Sequence, residues 1–178
     1  MTLNSQIVFF AISLVGFCRD LPAITPVRVG KIEGHAEVRA PAAAWRNAQE
    51  GMILEAGSVI TTGFTGTVLI SIAETTITLF PLSKLIIVNI DEKPDANKQV
   101  VQHIILALPL GRINAIIQPL VNGETSLTVH GPKTSCTAQG TTFEYDTETI
   151  TVLQGRARFT GKDGRSFFVD KDESSDAF

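Results

Sequence analysis

Residues 126–159 decide the fold class of this chain, and they read SLTVHGPKTSCTAQGTTFEYDTETITVLQGRARF. Three short segments of this stretch, at 128–130, 142–145 and 149–153, place β-branched or aromatic side chains at every second position. That period of two is the spacing of side chains on one face of a β-strand. Gly-Pro, Ala-Gln-Gly-Thr and Gln-Gly separate the segments, so the stretch predicts short strands joined by tight turns.

The same pattern extends over most of the chain. Runs rich in Val, Ile and Thr alternate with Gly or Pro, and no stretch carries a helical apolar stripe over three turns. Residues 100–109 fit strand or helix by pattern alone, but their Val and Ile content and proline boundary favour a strand. Gly51, Gly57 and residues 161–164 are predicted turns. The chain is therefore predicted to be all-β, with about ten or more short strands in an elongated β-sandwich or a twisted β-solenoid.

Composition limits the function classes. The 178 residues suffice for one domain with a sizeable core, and the net charge of -3 lacks the basic field that general nucleic-acid binding requires. The chain has two cysteines, Cys18 and Cys136. Removal of an N-terminal segment would leave Cys136 alone, which excludes a disulfide framework and a cysteine-rich zinc site.

The N-terminus predicts export. Residues 7–17 form an apolar run that is too short for a transmembrane helix and fits the apolar region of a signal peptide. Cleavage is expected after Cys18 or after Ala23, although no Lys or Arg precedes the run, and a buried element of the fold is the alternative. Phe17 disfavours lipidation of Cys18. This interpretation places the protein in the periplasm, in the cell envelope or outside the cell.

The domain prediction follows from these boundaries. Residues 1–23 are assigned to a signal peptide, residues 24–170 to one β domain, and residues 171–178 to a polar, disordered tail. No membrane span is expected in the mature chain.

Candidate catalytic and metal-binding residues do not form a recognisable site. None of His35, His103 and His130 has a second ligand at the spacing of a metal site. Cys136 and His130 invite a nucleophile–base pair, but the Gly131-Pro132 turn separates them, so Cys136 is interpreted as a buried structural thiol. The prediction is therefore no catalytic residue, no cofactor, no metal and no enzymatic activity.

Two features of the sequence have more than one interpretation. Trp45, the single tryptophan, is either a stacking platform for a ligand or, as the preferred interpretation, a plug of the core. Residues 91–99 are the most polar interior stretch and predict an exposed loop or hairpin excursion. The edge nearest to this stretch is the predicted contact for a protein partner.

Three motifs and a closing segment resemble, in order, those of the FecR family domain. They are WRNAQEGMILEAGSVITT at 45–62, LALPLGRI at 106–113, LTVHGPKTSCTAQGTTF at 127–143 and TVLQGRA at 151–157. The resemblance spans roughly residues 27–169. Ser58, Cys136 and Gln139 depart from the Asp, Ala and Arg that the family usually has, and residues 73–76 replace its Asp-Gly-Ser turn.

The resemblance implies an exported, all-β sensory or binding domain. Family members with a membrane helix and a cytoplasmic anti-sigma segment relay iron–siderophore signals to a sigma factor, but no such segment precedes residue 7 here. The expectation is a non-enzymatic FecR-like signalling or protein-binding module of the bacterial envelope, with an unidentified envelope protein as partner. The alternative is a structural or carbohydrate-associated module of the cell surface.

Overall fold

The computed structural model describes residues 25–94, 99–120 and 123–176. Every element of regular secondary structure in these ranges is a β-strand. The all-β prediction is therefore confirmed, and no helix of these residues could cross a membrane. The predicted signal peptide at 1–23 lies outside the described residues. The strands are β1 (Val27–Glu33), β2 (Ala36–Arg39), β3 (Arg46–Asn47), β4 (Ile53–Leu54), β5 (Val59–Thr62), β6 (Thr67–Ile72), β7 (Thr75–Leu79), β8 (Lys84–Pro94), β9 (Val100–Leu110), β10 (Ile113–Ile117), β11 (Gly123–His130), β12 (Ser135–Gln139), β13 (Thr142–Tyr145), β14 (Thr149–Gln154), β15 (Arg156–Thr160), β16 (Ser166–Asp170) and β17 (Ser174–Asp176).

The strands form two open sheets around one apolar core. The eight-stranded sheet has the order β17-β14-β13-β10-β7-β6-β1-β4, and the nine-stranded sheet has the order β16-β15-β12-β11-β9-β8-β5-β2-β3. Of the two predicted architectures, this arrangement is the sandwich, since the described part of the chain forms neither a solenoid nor a closed barrel. Each strand buries alternate side chains, which gives each sheet one apolar face to cover.

The chain builds both sheets in the same direction. It starts at the β3 and β4 end, places one or two strands in a sheet, crosses to the other sheet, and finishes at the β16 and β17 end. Strand β10 crosses to the eight-stranded sheet between β9 and β11, so β9 and β11 run parallel. The other strand pairs of the described residues are antiparallel.

Aromatic side chains from the stretch that predicted the fold pack in the core. Phe143, Tyr145 and Phe159 are fully buried, and the rings of Tyr145 and Phe159 meet edge to face at 6.4 Å. The Tyr145 hydroxyl lies 2.7 Å from that of Thr134, which itself donates to the Thr147 carbonyl. Burying such a side chain contributes about 1.5–3 kcal/mol, and the hydrogen bonds remove the cost of burying a hydroxyl.

The predicted turns are found where glycine permits them. Gly51 and Gly57 have positive φ angles of 82° and 86°. Residues 161–164 connect β15 to β16, and the Gly161 amide donates to the Arg165 carbonyl at 2.9 Å. Residues 100–109 lie within strand β9, as their composition indicated.

Disorder is predicted for the C-terminal tail at 171–178, but part of this tail forms a strand. Residues 174–176 form strand β17, which adds to the edge of the eight-stranded sheet next to β14. Side chains reinforce the pairing, because the Thr149 hydroxyl donates to Asp176 at 3.0 Å and the Thr151 hydroxyl to Ser174 at 3.3 Å. Polar composition alone missed this strand, since its partners are hydroxyl groups and backbone groups instead of apolar surface.

Gly51 and Gly111 have similar φ angles but different surroundings. Substitutions at the two positions therefore separate the cost of a positive φ from the cost of a steric clash. Gly111 has φ of 94°, and a Cβ there would lie 2.0 Å from the Ser83 hydroxyl oxygen and 2.4 Å from the Ser83 Cα. Gly51 has φ of 82°, and a Cβ there would meet nothing within 4 Å.

We expect Gly51→Ala to lower the free energy of unfolding by about 1–2 kcal/mol, the ordinary cost of positive φ for a residue with a Cβ. Gly111→Ala should cost a further ~1–3 kcal/mol, because Ser83 must also move. Urea unfolding of both variants measures the difference. Equal losses of stability would contradict the close approach of Gly111 and Ser83.

Candidate functional site

The structure separates the candidate nucleophile from its candidate base. Strands β11 and β12 form a hairpin in which Cys136 pairs with Val129, and His130 pairs with Ser135. Cys136 is fully buried in the core, whereas His130 is exposed. The two side chains therefore lie on opposite faces of the sheet and cannot share a proton.

Cys136 lies in an apolar setting that suppresses thiolate formation. Burial raises the pKa of the Cys136 thiol far above its usual range, and the thiol forms no disulfide. A reactive cysteine needs the opposite shift, toward a lower pKa. The prediction that Cys136 is buried is thus confirmed.

The other histidines also stay apart. His35 lies 3.9 Å from the carboxylate of Glu37, and both side chains are largely exposed. His103 is exposed on β9. Within the described ranges, no group of three or more His, Cys, Asp or Glu side chains could hold a metal ion.

The prediction that Trp45 plugs the core is wrong. Its side chain is 40 % exposed, and the Arg39 guanidinium lies over the ring at 4.9 Å from the centroid. Trp45 directly precedes β3, a strand of two residues at the edge of the nine-stranded sheet. An edge this short leaves the ring without a covering layer, so a cation covers one face instead.

Of the two predicted forms of the polar stretch at 91–99, an exposed loop or a hairpin excursion, the structure has the hairpin, in which β8 and β9 pair antiparallel. Residues 91–94 complete strand β8 and pair with β9, from Asp91 opposite His103 to Pro94 opposite Val100. Residues 95–98 lie outside the described residues. The apolar strand β9 supplies a full-length partner, which overrides the low strand propensity of Asp, Glu, Lys and Pro.

The far half of β8 has an open edge. Strand β5 pairs with β8 only at residues 84–86, and the last contacts are the Ile87 amide to the Ser58 carbonyl at 3.0 Å and the Gly57 amide to the Ile87 carbonyl at 2.7 Å. Beyond Ile87, β9 is the one strand that pairs with β8 in the described residues. Residues 88–94 therefore present one row of backbone donors and acceptors away from β9.

An apolar groove lies beside this open edge. Its volume is about 530 Å³, and it lies between β4, the edge strand of the eight-stranded sheet, and Ile90 of β8. Ile53 of β4 is 61 % exposed. We call it the edge groove, and it is lined by Thr25, Pro26, Ile53, Leu54, Glu55, Ala56 and Ile90.

Sequence reasoning did not single out Ile53 or Ile90. Both follow the ordinary alternation of apolar residues, so nothing in their pattern separates them from core positions. Ile53 stays exposed because β4 ends the eight-stranded sheet, and Ile90 stays partly exposed because β5 stops pairing before it. The site depends on where neighbouring strands end, which local sequence does not encode.

The fold is similar to that of a protein described as a "putative anti-sigma factor" from Parabacteroides distasonis ATCC 8503. That structure, at 2.50 Å resolution, matches with a TM-score of 0.50 and 9 % identity over 65 % of this chain and 52 % of its own length. A second structure of the same description, at 1.65 Å, matches with a TM-score of 0.48, 9 % identity and the same coverage. No protein-family model matches the chain, and no curated protein does.

At 9 % identity the first of these matches shows a shared fold and nothing about partners. The chain spans about half the length of the solved structures that it matches. The open edge and the edge groove are therefore the observations from which function has to be argued.

The buried thiol generates a prediction for alkaline pH. The pKa of Cys136 is raised in the folded state, so its contribution to stability is complete below its unfolded pKa, about 8.5, and is lost as pH rises above that value. The loss should approach about 1.4 kcal/mol per pH unit. Burial also raises the pKa of Tyr145 to about 12, which adds a similar loss from higher pH.

We expect Cys136→Ala to remove the first of these losses and to keep the second. Urea unfolding between pH 7 and pH 11 measures both proteins, and the difference between their curves isolates the thiol. Parallel curves over this whole range would show that Cys136 ionises as readily in the folded chain as in the unfolded one.

Proposed function

We propose that this chain is a non-enzymatic, FecR-like module that binds an extended segment of a protein partner along the open edge of β8. The observation that carries the proposal is the row of backbone groups at residues 88–94, which lacks a strand neighbour in the described residues and lies beside an apolar groove. Strand addition supplies affinity through backbone hydrogen bonds, and the neighbouring groove supplies specificity through side chains.

The groove selects the kind of segment that fits. An extended segment places alternate side chains on one face, so a residue paired with β8 can insert an apolar side chain against Ile53 and Ile90. Glu55 lines the same groove, and Asp91 follows Ile90 along the edge. These carboxylates favour a segment in which a basic residue flanks the apolar one.

The signalling part of the proposal has two supports. The motifs of the chain resemble the FecR family domain, and the fold matches a structure described as a "putative anti-sigma factor". Export supports an envelope protein as partner, since residues 7–17 fit a signal peptide. A carbohydrate module receives less support, because Arg39 covers one face of the exposed Trp45 ring, where a sugar would stack.

The groove can be tested with two matched substitutions. Ile53 in the groove is 61 % exposed, and Leu110 at the end of β9 is 62 % exposed. Either residue changed to Ser removes a similar apolar side chain from the surface at little cost in stability.

We expect a displayed library of random peptides, selected on the full chain, to yield extended segments with an apolar residue beside a basic one. Ile53→Ser should weaken their binding by about tenfold or more, because a buried aliphatic side chain contributes about 1.5–3 kcal/mol. Leu110→Ser should bind like the unmodified chain, as measured by fluorescence polarisation. Equal binding by the Ile53→Ser and Leu110→Ser variants would remove the groove from the proposal.

Export is tested by fractionation and intact-mass measurement in bacterial cells that express the full chain. We expect the protein in the periplasmic or envelope fraction, with a mass that corresponds to cleavage after Cys18 or Ala23. A full-length protein that stays in the cytoplasm would show that residues 1–23 do not act as an export signal.

A further inference from the structure

A second cavity of about 530 Å³ lies farther along the same face of β8, at Glu92 beyond Ile90, and only Thr25 lines both this cavity and the edge groove. Its lining includes Glu74 from the turn between β6 and β7, Glu92 from β8 and Gln102 from β9. Apolar contacts come from Val100, Pro119 and Leu120. We call this cavity the polar pocket, and its size is typical of a small-molecule site.

One buried oxygen without a hydrogen-bond partner belongs to a residue that lines this pocket, and two more belong to neighbours of its lining residues. Three buried side-chain oxygens of the described residues lack a hydrogen-bond partner, namely those of Thr75, Gln102 and Thr125. Gln102 lines the pocket and is only 1 % exposed. Thr125 is its register partner on β11, and Thr75 directly follows Glu74. Buried polar groups in folded proteins almost always have partners, so this cluster calls for an explanation.

The hydrogen bonds around Gln102 determine which way its amide faces. The Thr25 hydroxyl donates its single proton to the Glu92 carboxylate, which can only accept. Thr25 can therefore only accept from Gln102, and the Gln102 Nε2 donates to it at 3.0 Å. The opposite amide orientation would place two acceptors together. Oε1 is thus the atom left without a partner, and it requires a donor.

The charge of the pocket specifies the donor further. Glu74 and Glu92 line the pocket, and its described lining contains no Lys, Arg or His. Neither carboxylate takes part in a salt bridge among the described residues. A ligand that carries both N–H donors and positive charge would satisfy Gln102 and neutralise the carboxylates, whereas an anion would be repelled.

We infer that the polar pocket binds a small organic ammonium compound. Its N–H group donates to Gln102 Oε1, its charge faces Glu74 and Glu92, and its carbon skeleton packs on Val100, Pro119 and Leu120. This inference does not depend on strand addition at the edge groove, because the two sites use different lining residues apart from Thr25.

The test compares amines with alcohols of the same skeleton. The full chain, labelled with nitrogen-15, is titrated with butylamine, cyclohexylamine and benzylamine, and then with butanol, cyclohexanol and benzyl alcohol. We expect at least one amine to shift the side-chain amide signals of Gln102, and the backbone amide signals of the residues that line the pocket, in a saturable manner. The matched alcohol should bind at least about tenfold more weakly, because a hydrogen bond to a charged group is worth more than a neutral one.

Three variants locate the binding. Gln102→Leu removes the unpartnered acceptor, and Glu74→Gln removes a carboxylate at a turn, where folding is little affected. Each should weaken amine binding by about tenfold or more. Glu148→Gln is the control, since Glu148 is an exposed carboxylate that pairs with Lys133 outside the pocket. It should leave the affinity unchanged.

Several results would overturn the inference. They are the absence of saturable binding by all three amines, equal affinity of an amine and its alcohol, and amine binding that survives both Gln102→Leu and Glu74→Gln. Loss of amine binding in Glu148→Gln to the same degree would indicate general attraction to an acidic surface. Peptide selection at the edge groove is measured separately, so either site can fail alone.

Discussion

The apolar core shared by the two sheets is the constraint on which the rest of the structure depends. Each sheet is apolar on one face only, so neither is stable in water without the other to cover it. The chain satisfies this requirement as it proceeds, because it crosses between sheets after every one or two strands. The parallel pair of β9 and β11 follows from the same requirement, since β10 is needed in the opposite sheet at that point.

The fold class could be predicted from the sequence because alternation is a local property. Val129 and Phe143 alternate with polar neighbours, and that pattern predicted their strands, in which both side chains are buried. Trp45 and residues 174–176 were misjudged because their environments depend on distant strands. Trp45 lies at a two-residue edge, and the tail pairs with β14, which no local composition reveals.

The candidate sites arise from a mismatch in strand length, which alternation does not show. Strands β8 and β9 have eleven residues each, whereas β5 has four. The surplus part of β8 leaves an open edge, with the edge groove at Ile90 and the polar pocket farther along at Glu92. Gln102 shows why the sequence did not reveal the polar pocket, since a single glutamine in an apolar strand forms no motif. Its candidate role follows only from the hydrogen bonds that connect it through Thr25 to Glu92.

Neither sheet closes on itself, and this feature affects how the fold can gain strands during evolution. Within each sheet a strand pairs only with its immediate neighbours, so each sheet has two ends at which the shared core stops. Three of the four end strands, β3, β4 and β17, have only two or three residues, and the fourth, β16, has five; such short edges limit edge-to-edge association with other chains. A genetic duplication that added strands to both sheets would extend the shared core and leave the four short end strands unchanged, so the sandwich can lengthen without a new exposed edge.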